Sequence, residues 1–282
     1  MRTVNYNEMA MMLYNMKPSI GLVGNWGNWT DNEYELIQHA KAHNPSNLDM
    51  NLIVMTEDYN IGNIFSNNII EAKAKEMGVG VIYWYQPIIS KRNWDNLKRD
   101  LNITCLFAFS NVKGFHKIKT SFAGVVDGIE FKTGMDEDLI NSKEFLANGQ
   151  VEEYKALNKA NFQLTAHVAH GNKIGRTLGY PTANLLTEKK LQIKKGVYLV
   201  KVTLPNEDFF HWGISAFWIN QNKIEVFETH ILDFDQDIYD WRMTVELVSY
   251  LRDNVQVEST EQLIDLLNQD KKTAQELISK GA

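Results

Sequence analysis

Three glycines at four-residue spacing, Gly171, Gly175 and Gly179, lie in the stretch His170-Gly171-Asn172-Lys173-Ile174-Gly175-Arg176-Thr177-Leu178-Gly179-Tyr180-Pro181-Thr182-Ala183-Asn184. Residues without a Cβ let a backbone close tightly around a ligand, and Arg176 adds a charge that no physiological pH removes. Pro181 sets the chain direction ahead of a hydroxyl and an amide, Thr182 and Asn184, both oxygen donors suited to a hard cation. The combination describes a phosphate site, although glycines alone would also serve a hairpin loop. It is no P-loop, because Gly-Lys-Ser/Thr does not follow the glycines.

A second reactive group stands in Ile224-Glu225-Val226-Phe227-Glu228-Thr229-His230-Ile231-Leu232-Asp233-Phe234. In a strand, Glu225 and Glu228 face opposite sides, and Glu228 shares its face with Ile224 and Val226. An acid among apolar neighbours has a raised pKa, which suits a base working near neutrality. A solvated edge-strand glutamate fits the same pattern.

Together these strings resemble the riboflavin kinases. In that family Gly-Arg-x-Leu-Gly runs into Pro-Thr-Ala-Asn, matched here at Gly171, Gly175, Arg176, Leu178, Gly179, Pro181, Thr182, Ala183 and Asn184. A family string Glu-x-His-Leu/Ile-Leu-Asp-Phe is matched from Glu228 to Phe234, and the resemblance runs from about Asn161 to the C-terminus, through Gly196-Val197-Tyr198 and Leu251-Arg252-Asp253. It implies transfer of the γ-phosphoryl group of MgATP to the 5′-hydroxyl of riboflavin, giving FMN and ADP. By the same resemblance Gly171, Gly175, Arg176 and Gly179 hold nucleotide phosphates, Thr182 and Asn184 place Mg²⁺, and Glu228 is the catalytic base. Arg252 is expected on the flavin side or against the product phosphate. One stretch departs from the family: Gly213-Ile214-Ser215-Ala216-Phe217-Trp218-Ile219-Asn220 lacks the usual Asn-Ile-Gly and Pro-Thr, and its added aromatics either stack on isoalloxazine or, the reading preferred here, fill core.

The elements that must position these residues follow from periodicity. At 282 residues the chain is long for one small core, so two domains are expected, over 1–150 and 151–282. From residue 20 to about 109, short apolar runs alternate with amphipathic segments: Ile20 to Gly24 and Asp31 to His43, Asn51 to Met55 and Ser66 to Met77, Val79 to Tyr85 and Ser90 to Leu101, then Ile103 to Phe109. This rhythm predicts an α/β domain, a doubly wound parallel sheet with helices on its faces. A polar helix around Glu144 to Ala160 forms the junction. Beyond it, alternating runs over Phe162 to Val168, Gly196 to Leu204, Phe210 to Asn220, Lys223 to Leu232 and Met243 to Leu251 predict an antiparallel β-barrel or sandwich. A capped amphipathic C-terminal helix, Ser259 to Gly281, is expected to cover one side of it with Leu263, Leu266, Leu267, Leu277 and Ile278.

In the first domain, the opening strand leads into Gly24-Asn25-Trp26-Gly27-Asn28-Trp29 before a helix near Asp31. Such strand-to-helix turns bind ligands in parallel sheets, and helix N-terminal amides suit phosphates. An ordinary turn with two aromatic plugs also fits. Bacterial riboflavin kinases commonly carry an N-terminal FMN adenylyltransferase domain of the nucleotidyltransferase type, with a Gly-Asn-Phe-Asp-Gly-Val-His-x-Gly-His string followed by Leu-Ile. This chain keeps the ends, Gly24-Asn25 and Leu36-Ile37, but the two histidine positions fall on Thr30 and Glu33. Those histidines neutralise nucleotide phosphates, whereas Glu33 would repel them. A second family string that ends in arginine reads Leu139-Ile140-Asn141-Ser142-Lys143-Glu144, without the arginine, while Gly128 to Gly134 resembles a fold marker. The expectation is a nucleotidyltransferase-like domain with a degenerate site at Gly24, Asn25, Thr30 and Glu33 and no normal FAD synthesis. The alternatives are a bifunctional enzyme making FMN and then FAD, and a flavin- or nucleotide-binding regulator without turnover.

Composition limits the partners. With 44% hydrophobic and 23% charged residues, net charge -6 and a pI near 5.7, the chain reads as an ordinary globular protein without broad nucleic-acid or anionic-membrane binding. Cys105 sits in an apolar run and reads as an inert thiol. His39 with His43, and His167 with His170, have no acidic or cysteine partner that completes a metal site nearby and are assigned no metal. Met9 to Met16 reads as a helix of the mature protein rather than a signal peptide, and no apolar run is long enough for a bilayer, so the cytoplasm is the expected address.

Overall fold

The computed structural model describes residues 2–6, 17–44, 46–55, 63–85, 94–111, 115–121, 126–129, 136–170, 175, 178–187, 190–220 and 222–282. The chain forms two compact units, Met1–Asn60 with Asn67–Ile140, and Ile61–Ser66 with Asn141–Ala282. The expected helix at Met9 to Met16 lies outside the described residues.

The first unit contains strands β1 (Arg2–Tyr6), β2 (Ser19–Val23), β3 (Asp49–Met55), β4 (Val81–Tyr85), β5 (Ile103–Phe109) and β6 (Val126–Ile129). Helices α1 (Asp31–Ala42), α2 (Asn67–Glu76), α3 (Trp94–Leu101) and α4 (Phe115–Ser121) accompany them. The strands form one parallel sheet in the order β1-β4-β3-β2-β5-β6. Every residue of β2 is buried, as a central parallel strand covered on both faces requires. β3 lies on one side of β2 and β5 on the other. The order therefore reverses between β2 and β5, and the crevice beyond their carboxyl ends is where Gly24 begins. The alternation in sequence led to β2, β3, β4 and β5 but not to β1 or β6, both short strands at the sheet edges.

Helix α5 (Glu137–Asn148) begins in the last residues of the first unit and continues into the second, where α6 (Val151–Asn158) follows. A single junction helix was expected there, but Gly149 has φ of 77°, which stops the first helix and turns the chain into the second. Close packing adds to this, since a Cβ on Gly149 would stand 3.0 Å from the Tyr250 ring. Strands β7 (Gln163–Ala169), β8 (Ala183–Leu186), β9 (Gly196–Thr203), β10 (His211–Ile219), β11 (Glu225–Ile231) and β12 (Arg242–Arg252) then close a barrel in the order β10-β11-β8-β7-β12-β9. All its pairings are antiparallel. Alternate residues point inward, and Val168, Leu185, Phe227, Phe217, Tyr198, Val200 and Val245 fill the interior.

The last helix, α7 (Thr260–Ser279), starts at Ser259, whose hydroxyl accepts from the Gln262 amide at 3.2 Å. It lies on the outside of the barrel. Ala274, Leu277 and Ile278 pack on Val197, Leu199, Ile214 and Val248, the strand residues that alternate with the inward row. No described helix is long and apolar enough to cross a membrane.

Candidate active site

Strand register assembles the candidate residues. Glu228 on β11 stands directly opposite Asn184 on β8, and on its other side opposite Ala216 on β10. Paired residues share a face, so these three side chains point out of the barrel while Phe227 and Thr229 point in. Asn184 is in turn opposite Ala169 on β7. Small alanines thus flank the carboxylate and the amide on both sides. Beneath them, the inward Thr229 hydroxyl lies 2.7 Å from that of Ser215, a polar pair that satisfies itself inside the core.

Thr182 lies two residues before Asn184 and lines a cavity of about 490 Å³ at one mouth of the barrel. The inward residues Val168, Ala183, Thr229 and Ile231 form its floor, and the segment from Phe234 to Tyr239 its wall. That volume lies within the range of small-ligand sites. His230 fixes the entry to β8. Its Nδ1 is 2.8 Å from the Pro181 carbonyl, which can only accept, so Nδ1 carries the proton and donates. Burial lowers the His230 pKa, against the Pro181 bond that raises it, and the nearby Lys271 charge lowers it further. The Tyr180 ring meets His230 edge-on at 5.2 Å, and the Tyr180 hydroxyl donates to Asn268 Oδ1 of α7 at 2.6 Å. Tyr180, His230 and Asn268 thus tie the Pro181–Asn184 segment to β11 and α7. Sequence reasoning assigned none of them a role, though His230 stood two residues beyond the proposed base.

Glu228 is half-buried, and desolvation raises its pKa above the usual glutamate value. This is the direction a base near neutral pH needs. Glu225, on the other face, accepts the Leu191 amide at 3.0 Å. Gly175 sits under the segment, and its carbonyl accepts from the Leu178 and Tyr180 amides at 3.1 and 2.8 Å. A Cβ there would run into the Tyr180 carbonyl, so only glycine lets the loop close. Gly179 has φ of 81°, a second position that favours glycine. Gly171 and Arg176 lie outside the described residues. Arg252 is not free to point toward a ligand as it stands. Its Nε and Nη2 each donate to Asp270 at 2.7 Å, and Nη1 donates to the Asp253 carbonyl at 2.9 Å.

The donor set suits a hard cation. Thr182, Asn184 and Glu228 offer only oxygens as metal ligands, and the described residues contain no group of three or more His, Cys, Asp or Glu able to hold a metal. Such a site fits Mg²⁺, which binds few protein oxygens and completes its shell with phosphates and water.

In the first unit, the turn after β2 is closed by the protein itself. Thr30 caps α1, and its hydroxyl accepts from the Asn32 amide at 3.2 Å. Glu33 reaches back so that Oε1 accepts from the Asn25 amide at 3.0 Å. Its Oε2 accepts from the Thr30 amide at 2.8 Å and the Thr30 hydroxyl at 2.6 Å. Asp136 accepts the Asp31 amide at 3.0 Å, while the Glu33 and Tyr34 amides bond the Thr30 carbonyl. Each first-turn amide from Asp31 to Tyr34 already has an acceptor within the chain. Glu33 is 1% exposed, and desolvation raises its pKa against the bonds from Thr30 and Asn25. Gly24 packs close by, with Trp26 and Trp29 buried and edge to face at 5.0 Å.

Comparison with known proteins agrees with the barrel. Residues 158–278 match the riboflavin kinase (flavokinase) family. The chain is 32% identical over 139 residues to the bifunctional riboflavin kinase/FMN adenylyltransferase of Haemophilus influenzae, covering 47% of this chain and 44% of that protein. It is 28% identical over 177 residues to the protein of the same description from Buchnera aphidicola, covering 61% and 55%. The chain thus spans about half the length of the curated relatives it matches. Among solved structures, the macrolide-efflux protein from Streptococcus pneumoniae has a TM-score of 0.58 at 22% identity, over 97% of this chain and 98% of that one, a likeness of fold. The barrel, with its paired Glu228 and Asn184 and its C-terminal helix, is the part of the chain that matches the riboflavin kinase family, over residues 158–278.

Proposed function

We propose that this protein is a riboflavin kinase that transfers the γ-phosphoryl group of ATP to the 5′-hydroxyl of riboflavin, yielding FMN and ADP. The observation that carries this reading is the cross-strand pair Glu228–Asn184 beside the cavity lined by Thr182, within the part of the chain that matches the family. Phosphoryl transfer asks a protein mainly to position the reactants and neutralise charge. Thr182 and Asn184 would hold Mg²⁺, which supplies charge neutralisation on the phosphates when bound. The glycine loop, with Gly171, Gly175, Arg176 and Gly179, would enclose those phosphates. Glu228 accepts the proton of the attacking hydroxyl, helped by the burial that raises its pKa. Arg252, expected on the flavin side or against the product phosphate, holds α7 through Asp270.

For the first domain, read as residues 1–150, we infer a nucleotidyltransferase-like unit without FMN adenylyltransferase activity. The support is the Glu33 carboxylate, which accepts the amides a nucleotide phosphate would need at the switch-point turn. Its charge would also oppose that phosphate.

Purified protein incubated with riboflavin, ATP and Mg²⁺, with chromatographic separation of the flavins, is expected to give FMN and no FAD. FAD in addition would make the protein bifunctional, as the names of its relatives describe them. Absence of both products would leave a flavin or nucleotide binder.

A further inference from the structure

We propose that Trp218 is the stacking platform for the isoalloxazine ring of the acceptor, an assignment that rests on the kinase reading above. The outer face of the barrel has a direction. At one end Thr182 borders the cavity, in the middle Asn184 pairs with Glu228, and at the other end Leu186 and Val226 occupy the next outward positions of β8 and β11. Trp218 on β10 is directly opposite Val226. In-line transfer puts donor and acceptor on opposite sides of the moving phosphoryl group. With the nucleotide on the Thr182 side, the body of the acceptor extends from Glu228 toward Val226 and Trp218.

The distances agree with this direction. Successive outward residues on a strand are about 7 Å apart, and a five-carbon ribityl chain covers a comparable span. Its ring therefore arrives over the Val226–Trp218 pair. Toward β9 the outer face is closed, because α7 covers Val197, Leu199 and Ile214.

Trp218 is 37% exposed, with Leu186 at 62% and Ile224 at 58% among the outward positions near it. Its neighbour Phe217 is fully buried against Phe227 at 5.9 Å. The sequence reading of core-filling aromatics thus holds for Phe217 and fails for Trp218, because alternate residues of a strand face opposite ways. The backbone that carries the indole is anchored, since Asn254 Nδ2 donates to the Phe217 carbonyl at 2.9 Å. An exposed indole on an anchored strand offers a flat, electron-rich surface to a flat, electron-poor ring at little entropic cost.

The test uses the full chain, with riboflavin titrated by its fluorescence without ATP and steady-state kinetics measured for both substrates. Trp218→Ala is expected to weaken riboflavin binding and raise its KM about tenfold, the scale of one aromatic stack. The KM for MgATP and the Tm are expected to stay near those of the wild type. Trp218→Phe is expected to recover most of the loss. Unchanged riboflavin binding in Trp218→Ala, or a Trp218→Phe variant as weak as the alanine one, would overturn the assignment. A wild-type protein that binds riboflavin but does not phosphorylate it sinks the kinase reading alone, because the titration still decides the role of Trp218.

Discussion

Glu228 shows how one residue's surroundings set its chemistry. It is half-buried with an alanine on one flanking strand and an amide on the other, and no neighbouring cation is among the causes of its shifted pKa. The folded chain therefore holds the Glu228 proton more tightly than the unfolded chain. Ionised Glu228 costs stability above its raised pKa, and that cost vanishes below the unfolded value. Glu228→Gln is accordingly expected to keep or raise the Tm near neutral pH while turnover falls by about 10²–10⁴. Thermal melts and initial rates check both halves. The wild-type kcat/KM is expected to fall on the acid side at a pH above that of an ordinary glutamate. Wild-type turnover in the glutamine variant would remove Glu228 as the base. His230 supports the neighbouring segment through its Nδ1 donation to the Pro181 carbonyl, a bond that opposes the lowering of its pKa by burial.

Helix α7 packs on the barrel by an apolar stripe that includes one acid. Asp270 is 4% exposed, a position that periodicity alone would give to leucine. It is acceptable there because the Arg252 guanidinium at the end of β12 meets both its oxygens. Removing one partner leaves the other half-buried and uncompensated. Asp270→Ala is therefore expected to destabilise the protein by about 2–3 kcal/mol, with Asp270→Asn costing less. Urea unfolding followed by circular dichroism measures this. If Asp270→Ala unfolds at the wild-type midpoint, Arg252 is available for a ligand after all. The Tyr180–Asn268 bond also ties α7 to the residue before Pro181, so changes to the helix reach the Pro181–Asn184 segment.

The second unit of the molecule is not continuous in sequence. The short segment Ile61–Ser66 belongs with Asn141–Ala282, and the Tyr154 hydroxyl, on a residue with no exposed surface, donates to the Ile64 carbonyl at 2.7 Å. Ile64 and Phe65 are themselves buried. A protein shortened to residues 141–282 would keep the barrel but lose this segment, leaving a buried hydroxyl without its acceptor and apolar surface open to water. It is expected to melt at a lower temperature than the full chain and to expose Tyr154 to quenchers. An unchanged melting temperature would show that the segment contributes nothing to the barrel.

Much of the fold was legible because its signals are local. The alternation of apolar runs and amphipathic segments specified β2 to β5 of the parallel sheet, the period-two runs specified five of the six barrel strands but not the short β8, and the likeness of 171–184 and 228–234 to the riboflavin kinases pointed to Thr182, Asn184 and Glu228. What lies far apart in sequence was not legible. Whether Asn184 meets Glu228 depends on β8 pairing with β11, and whether Trp218 faces out while Phe217 faces in depends on the register of β10. Glu33 could be read from sequence only as a charge in the wrong place. The tertiary structure made it a buried acceptor of the Asn25 and Thr30 donors. Sequence by itself determined which chemical groups the chain carries and which elements they ride on, because those follow from neighbours within a few residues. Tertiary structure alone decided which groups meet, which are dry and which are already satisfied, because barrel closure and burial are properties of the whole chain.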